Sequence, residues 1–174
     1  MILSDIQVVC LYGEEVIKMN EYIEYLWKEE KPKFNLQGIK DIEKQYLILF
    51  PQDFLYFFKD NFGNKSVNNL LSMEKGNDIV SHFLHVQNLP PSDERDIYSI
   101  KYQIEEFEGN ISEKIIPFMI TKTSNLVCFD FRGSDSVPEV VLVLSDRIED
   151  GESKSVKFVG KCFSSFLRKL ESSD

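Results

Sequence analysis

Beyond Ile115 the periodicity of this chain changes, and its apolar residues fall in short strand-like runs instead of recurring at helical spacing. Cys128-Phe129-Asp130-Phe131-Arg132 sets two aromatics against two charges, and Glu139 leads into a continuous apolar run ending at Leu144. Successive side chains of a strand point to opposite faces, so Phe129 and Phe131 share one face while Asp130 and Arg132 share the other. The first strand of this region starts at Ile115-Ile116-Pro117-Phe118, and the connections at 121–124, 133–136 and 146–153 have lengths that suit hairpins. An antiparallel meander is the simplest way to join such strands. Residues 155–160 can add one more strand, and a helix over about 162–171 closes the chain with Phe163, Phe166 and Leu167.

The part before Ile115 reads as helix. Residues 14–30 carry Val16, Met19, Ile23, Leu26 and Trp27 at helical spacing, with Glu14 and Glu15 early and Lys28 late, as a helix dipole favours. Pro32 ends that helix. A second helix over 38–46 has Ile39, Ile42 and Tyr46 on one face, and 47–50 form a short apolar link. Pro51 and Asp53 then open a third helix with Phe54, Leu55, Phe57 and Phe58, which Asn61-Phe62-Gly63 stops. Residues 66–73 fit a strand or a helix entry equally poorly. Residues 79–86 are predicted as helix, and Ser92 is placed to cap another whose apolar face is Ile97, Ile100, Ile104 and Phe107. Helices followed by strands give an α+β chain, one domain over 1–174, with residues 1–32 as an additional N-terminal helix.

With 174 residues, 43% of them hydrophobic, the chain has enough apolar material for one continuous core, and 14 Phe against a single Trp make it an aromatic one. The formal charge of −9 disfavours direct binding to nucleic acid or to an anionic membrane surface and favours a basic partner. Its three cysteines are odd in number and widely spaced, which points to free thiols in a reducing compartment, and no segment matches a secretory signal or a membrane span. A cytoplasmic location is expected. Self-association is left open.

Chemistry is largely missing from the sequence. The glycines are isolated at element ends, so nothing cradles a phosphate. Asp78, His82 and His85 would share a face only if 78–85 were helical, and no fourth ligand accompanies the two histidines of the chain, so no metal or other cofactor is expected. Cys128 lies among Val127, Phe129 and Phe131 and reads as a buried thiol without a base to activate it. No catalytic residue is assigned, and the chain is not expected to be an enzyme. The charged residues kept as partner contacts are Asp130 and Arg132 on their strand face, with Asp146, Glu149 and Asp150 in the acidic connection that follows Leu144. Composition alone reads the same set as the polar outer face of a half-covered sheet and a flexible acidic turn.

Three blocks of the chain resemble the SUKH superfamily, the Smi/Knr type proteins. The first is Ile39-x-x-Ile42-Glu43 with Phe50-Pro51-x-Asp53-Phe54-x-x-Phe57-Phe58 and Gly63; the second is Ile115-Ile116-Pro117-Phe118 with the strand from Leu126 to Arg132. The third is Val140 to Leu144 with the closing Phe163-Ser-Ser-Phe166-Leu167, so the order of the blocks covers roughly residues 35 to 170. Residues 121–124 stand where members often have an Asp-Gly-Gly turn, and Ser145-Asp146-Arg147 where an aromatic-Asp-His strand end is frequent, so the roles of those family residues do not carry over. The resemblance implies a mainly antiparallel sheet flanked by helices and a protein-binding role. It points to an immunity protein that neutralises a cognate polymorphic toxin, a basic domain, by direct complex formation. The alternative is a regulatory module of the same fold, linked to cell-wall or envelope processes.

Overall fold

A computed structural model describes residues 23–25, 34–61, 64–73, 76–90 and 92–172. Its frame is one eight-stranded sheet in which every pairing is antiparallel. Seven strands follow the chain in order: β1 (Ile23–Tyr25), β2 (Asn64–Met73), β3 (Gly76–Phe83), β4 (Ile115–Thr121), β5 (Leu126–Asp130), β6 (Glu139–Val143) and β7 (Val156–Gly160). The eighth, β8 (Leu170–Ser172), returns to pair with Asn69, Leu70 and Leu71 of β2, while β1 pairs with Asn64, Lys65 and Ser66 of the same strand. The expected meander is therefore present and extends further toward the N-terminus than the alternating pattern shows. Pro117, which has no N–H to offer a ladder, sits at the bulge where the register between β4 and β5 shifts.

Helices α1 (Leu36–Tyr46) and α2 (Gln52–Asn61) separate β1 from β2. The Asn35 side chain caps α1 by accepting from the Gly38 amide at 3.1 Å, and Ile39 and Ile42 turn inward. Gly38 is required by close approach: a Cβ there would lie 2.6 Å from the Val86 carbonyl oxygen. In α2, Phe54, Phe57 and Phe58 are fully buried. Phe54 is the hub of an aromatic cluster, with ring centroids 4.9 Å from Phe58 and Phe129, 5.3 Å from Phe50 and Phe163, and 5.5 Å from Phe118. Such pairs add about 0.5–1.5 kcal/mol each to the burial of the rings. Helix α5 (Phe163–Lys169) completes this layer, and its Ser164 hydroxyl donates to Asp53 of α2 at 2.6 Å.

Four elements depart from the sequence reading. Residues 76–83 are a strand, not a helix: β3 is hydrogen-bonded to β2 on one side and β4 on the other, and this pairing overrides the helix-like spacing of its apolar residues. The helix expected from Ser92 is split into a 3-10 turn, Glu94–Tyr98, capped by Asp93, and α3 (Ile100–Glu106), capped by Ser99. The split has a local cause. His85 donates its amide to the Tyr98 carbonyl and accepts from the Ile100 amide, both at 2.8 Å, which takes those groups out of a continuous helix and leaves Ile97 exposed. The closing helix ends at Lys169, where the chain straightens into β8. Residues 23–25 form a strand inside the span read as helix over 14–30; the rest of that span and Phe62-Gly63 lie outside the described residues.

The sheet is covered on both faces. One face carries Ile116, Phe118, Val127, Phe129, Phe131, Val140 and Leu142 against α1, α2 and α5. The other carries a smaller cluster, Ile115, Leu126, Cys128, Val141 and Val143, covered by Ile148 and flanked by Phe107 and Ile111. The connection from β6 to β7 supplies that cover as a folded flap, a 3-10 helix over Ser145–Asp150 followed by α4 (Glu152–Ser155), where a flexible turn is expected from composition.

Candidate interaction site

Strand alternation places Asp130 and Arg132 as the sequence reading has it, with Phe129 and Phe131 buried on the opposite face. The Arg132 guanidinium grips Asp130 through Nε at 2.9 Å and Nη2 at 2.6 Å, and the Arg132 amide donates to the same carboxylate at 3.0 Å. Burial pushes the Asp130 carboxyl up, but the hydrogen bonds from Arg132 outweigh it and hold the group below its ordinary range. The same bonds raise Arg132, so both groups stay charged.

Arg132 reaches further. Its Nη1 donates to Glu152 at 2.6 Å, and the other oxygen of Glu152 accepts from the Ser112 amide. Glu152 thus ties three segments together: the end of β5, the loop before β4, and the flap. At the flap's opposite end the Ser145 amide donates to Asn125 Oδ1 at 3.0 Å and its hydroxyl to the Ser124 carbonyl. Between these anchors Ile148 points into the second core cluster, while Asp146, Glu149 and Asp150 are exposed. The three-residue repeat of a 3-10 helix stacks Asp146 and Glu149 on one ridge and sets Asp150 with Arg147 on the next. The five residues singled out from sequence therefore fall into two groups, an ion-paired pair on the sheet and an acidic ridge beside it. Glu152 is the link between them. Its role rests on a contact across 20 residues, which no local pattern signals.

A second feature has no sequence signature. Between α3, the 107–113 segment and the second face of the sheet lies a groove of about 580 Å³, with Ile115, Leu126, Cys128 and Val143 at its floor and Glu105, Glu108 and Glu113 around it. Burial, then the charges of Glu105, Glu108 and Glu113, raise the pKa of Tyr46 at its mouth.

The residues weighed for catalysis or metal binding are used otherwise. Cys128 is buried, and burial followed by the charge of Asp130 pushes its thiol well above the ordinary value, so it is poorly suited to act as a nucleophile. The helical face proposed for Asp78, His82 and His85 does not exist, because Asp78 and His82 lie on strand β3. Asp78 accepts from Thr123 Oγ1 at 2.6 Å and Asn125 Nδ2 at 2.9 Å, which pins the turn between β4 and β5. The His85 ring is engaged on both nitrogens, Nε2 with the Arg95 carbonyl at 2.9 Å and Nδ1 with the Gln87 amide at 3.1 Å, and burial lowers its pKa. Among the described residues no group of three His, Cys, Asp or Glu side chains is placed to hold a metal ion. Among the same residues no helix is long and apolar enough to cross a membrane.

In comparison with known families, the chain matches the SMI1 / KNR4 family (SUKH-1) over residues 33–169. The chain belongs to this SUKH family. The matched span runs from just before α1 to the last residue of α5, so it contains strands β2 to β7 and the whole flap of this SUKH domain, while β1 and β8 lie outside it. Membership is compatible with immunity or regulatory roles. Comparison with curated proteins returns no match.

Proposed function

We propose that this SUKH domain is a cytoplasmic immunity protein that neutralises one cognate toxin by binding it, with no catalytic step of its own. The observation that carries this reading is the Arg132–Glu152 bridge at 2.6 Å, which locks the acidic flap onto the end of the sheet. A surface held in place before the encounter loses little freedom on binding, and that is what a tight stoichiometric inhibitor requires. Its sign matters as well. Asp146, Glu149 and Asp150 stand exposed on a chain of net charge −9, a field that speeds encounter with a basic protein and discourages acidic ones. The toxin domain would be basic, and the complex would cover its active site or the path of its substrate.

Where a gene beside this one encodes a toxin domain, co-expression of the two tests the reading. Cells carrying both are expected to survive, and the two proteins to co-purify in a fixed ratio. Cell death with no co-purification would contradict immunity and return the domain to a regulatory role.

A further inference from the structure

The link between α1 and α2 turns two leucines to solvent. Leu47 is 73% exposed and Leu49 60% exposed. Leu47 ends α1 at φ 51°, ψ 55°, in the left-handed region where a helix ordinarily places glycine and where a bulky side chain is strained. The backbone around both leucines is nonetheless held at every turn. The amides of Leu47 and Ile48 donate to the Glu43 carbonyl, and the Phe50 amide to the Glu43 side chain at 2.9 Å. Lys114 Nζ binds the carbonyls of Tyr46 and Leu47 at 2.9 and 3.0 Å, and the Leu49 amide donates to the Asp135 carbonyl at 2.7 Å. A rigid loop that keeps a strained, solvent-facing leucine is a structure prepared for something outside itself.

That Asp135 contact joins the leucines to the acidic end of the sheet. Asp135 stands between Ser134 and Val137, which line a shallow depression with Asp130, Arg132 and Glu139, and Val137 is itself 59% exposed. Leu47 and Leu49 are thus tied through Lys114 and Asp135 to the segment carrying Val137, which shares its depression with Asp130, Arg132 and Glu139; of the cations here, Lys114 is bound to Asp135, and Arg132 to Asp130 and Glu152. Negative charge is in excess around an apolar centre, which is the layout of an interface core with its rim.

We infer that Leu47 and Leu49, with Val137, are the apolar anchors of the toxin interface. The inference rests on the immunity reading and specifies its occupant: a toxin domain presenting an apolar seat edged by lysine or arginine. Anchors of this kind act mainly on the dissociation rate, whereas the exposed acids act on association.

The variants Leu47→Gly and Leu49→Ser separate binding from folding, because glycine relieves the left-handed strain at position 47. With a toxin domain whose killing this chain relieves on co-expression as probe, the double variant is expected to dissociate at least tenfold faster, with association unchanged and a melting temperature equal to or above that of the wild type. Wild-type and variant complexes of equal lifetime would overturn the inference and leave the immunity reading standing. A wild type that binds no toxin removes both. In the free full-length protein the Leu47 and Leu49 methyls are expected to be broadened by a soluble paramagnetic agent. Protection of those methyls, or a wild-type dimer that the double variant abolishes, would mean that another part of the chain or a second copy covers the leucines, and would overturn the inference.

Discussion

The two faces of the sheet are built on different terms. On the first, helices α1, α2 and α5 press a continuous aromatic cluster onto β4, β5 and β6, and residues as distant as Phe54, Phe129 and Phe163 meet ring to ring. On the second, a small cluster is covered by Ile148 of the flap and flanked by two partly buried residues of the 107–113 segment, and the covering segments carry their acids outward. The first face stores most of the stability of the fold. The second spends little apolar material and holds charge in fixed positions, a division that lets a binding surface vary without threatening the core.

Truncating the hub of the aromatic face should have the largest effect. Phe54→Ala is expected to cost about 3–5 kcal/mol, which lowers the melting temperature by roughly 10 °C in a chain of this size. Calorimetry or denaturant titration measures it, and toxin binding well below the transition should persist. Ile148→Ala on the second face should cost about 2 kcal/mol, since fewer atoms leave a site that the flap can partly close. It should also weaken toxin binding by loosening the acidic ridge. Equal losses for the two variants would show that the faces do not differ as described.

A smaller, pH-dependent effect is expected from Asp130→Asn. Its folded-state pKa lies below the ordinary value of 3.8, so the contribution of the carboxylate is complete at neutral pH and is lost as pH falls through the folded-state value. Wild type should therefore be modestly more stable than the variant at pH 7, and the difference should vanish in acid. Parallel melting curves across that range decide the point; a difference that persists unchanged at low pH would mean that Asp130 acts through something other than its charge.

The aromatic face was legible in the sequence because the alternation at 128–132 separates Phe129 and Phe131 from Asp130 and Arg132, and the apolar run after Glu139 has the length of a strand. Helix α2 was legible through Pro51 and its phenylalanines. Strand β3 was not, since Ile79, Val80, Phe83 and Leu84 fall at helical intervals and only the hydrogen bonds to β2 and β4 decide the matter. Strands β1 and β8, three residues each, are too short to show any period. At the candidate site, Asp130 and Arg132 were legible as a pair on one strand face, as were Asp146, Glu149 and Asp150 as an acidic run. The role of Glu152 and the exposure of Leu47 and Leu49 were not, because each depends on where a distant segment passes: the flap folding back over the sheet, and Lys114 and Asp135 holding the α1–α2 link.

The most direct measurement is the association rate of the proposed toxin partner, taken as a domain whose killing this chain relieves on co-expression, with wild type and with the variant carrying Asp146→Lys, Glu149→Lys and Asp150→Lys, at low and at physiological salt, with melting curves alongside. Because the exposed ridge steers encounter and does not support the core, the variant should associate roughly tenfold more slowly at low salt, the gap should narrow as salt rises, and the melting temperature should not move. An association rate unchanged at both salt concentrations, with folding intact, would contradict the assignment of this face to a basic partner.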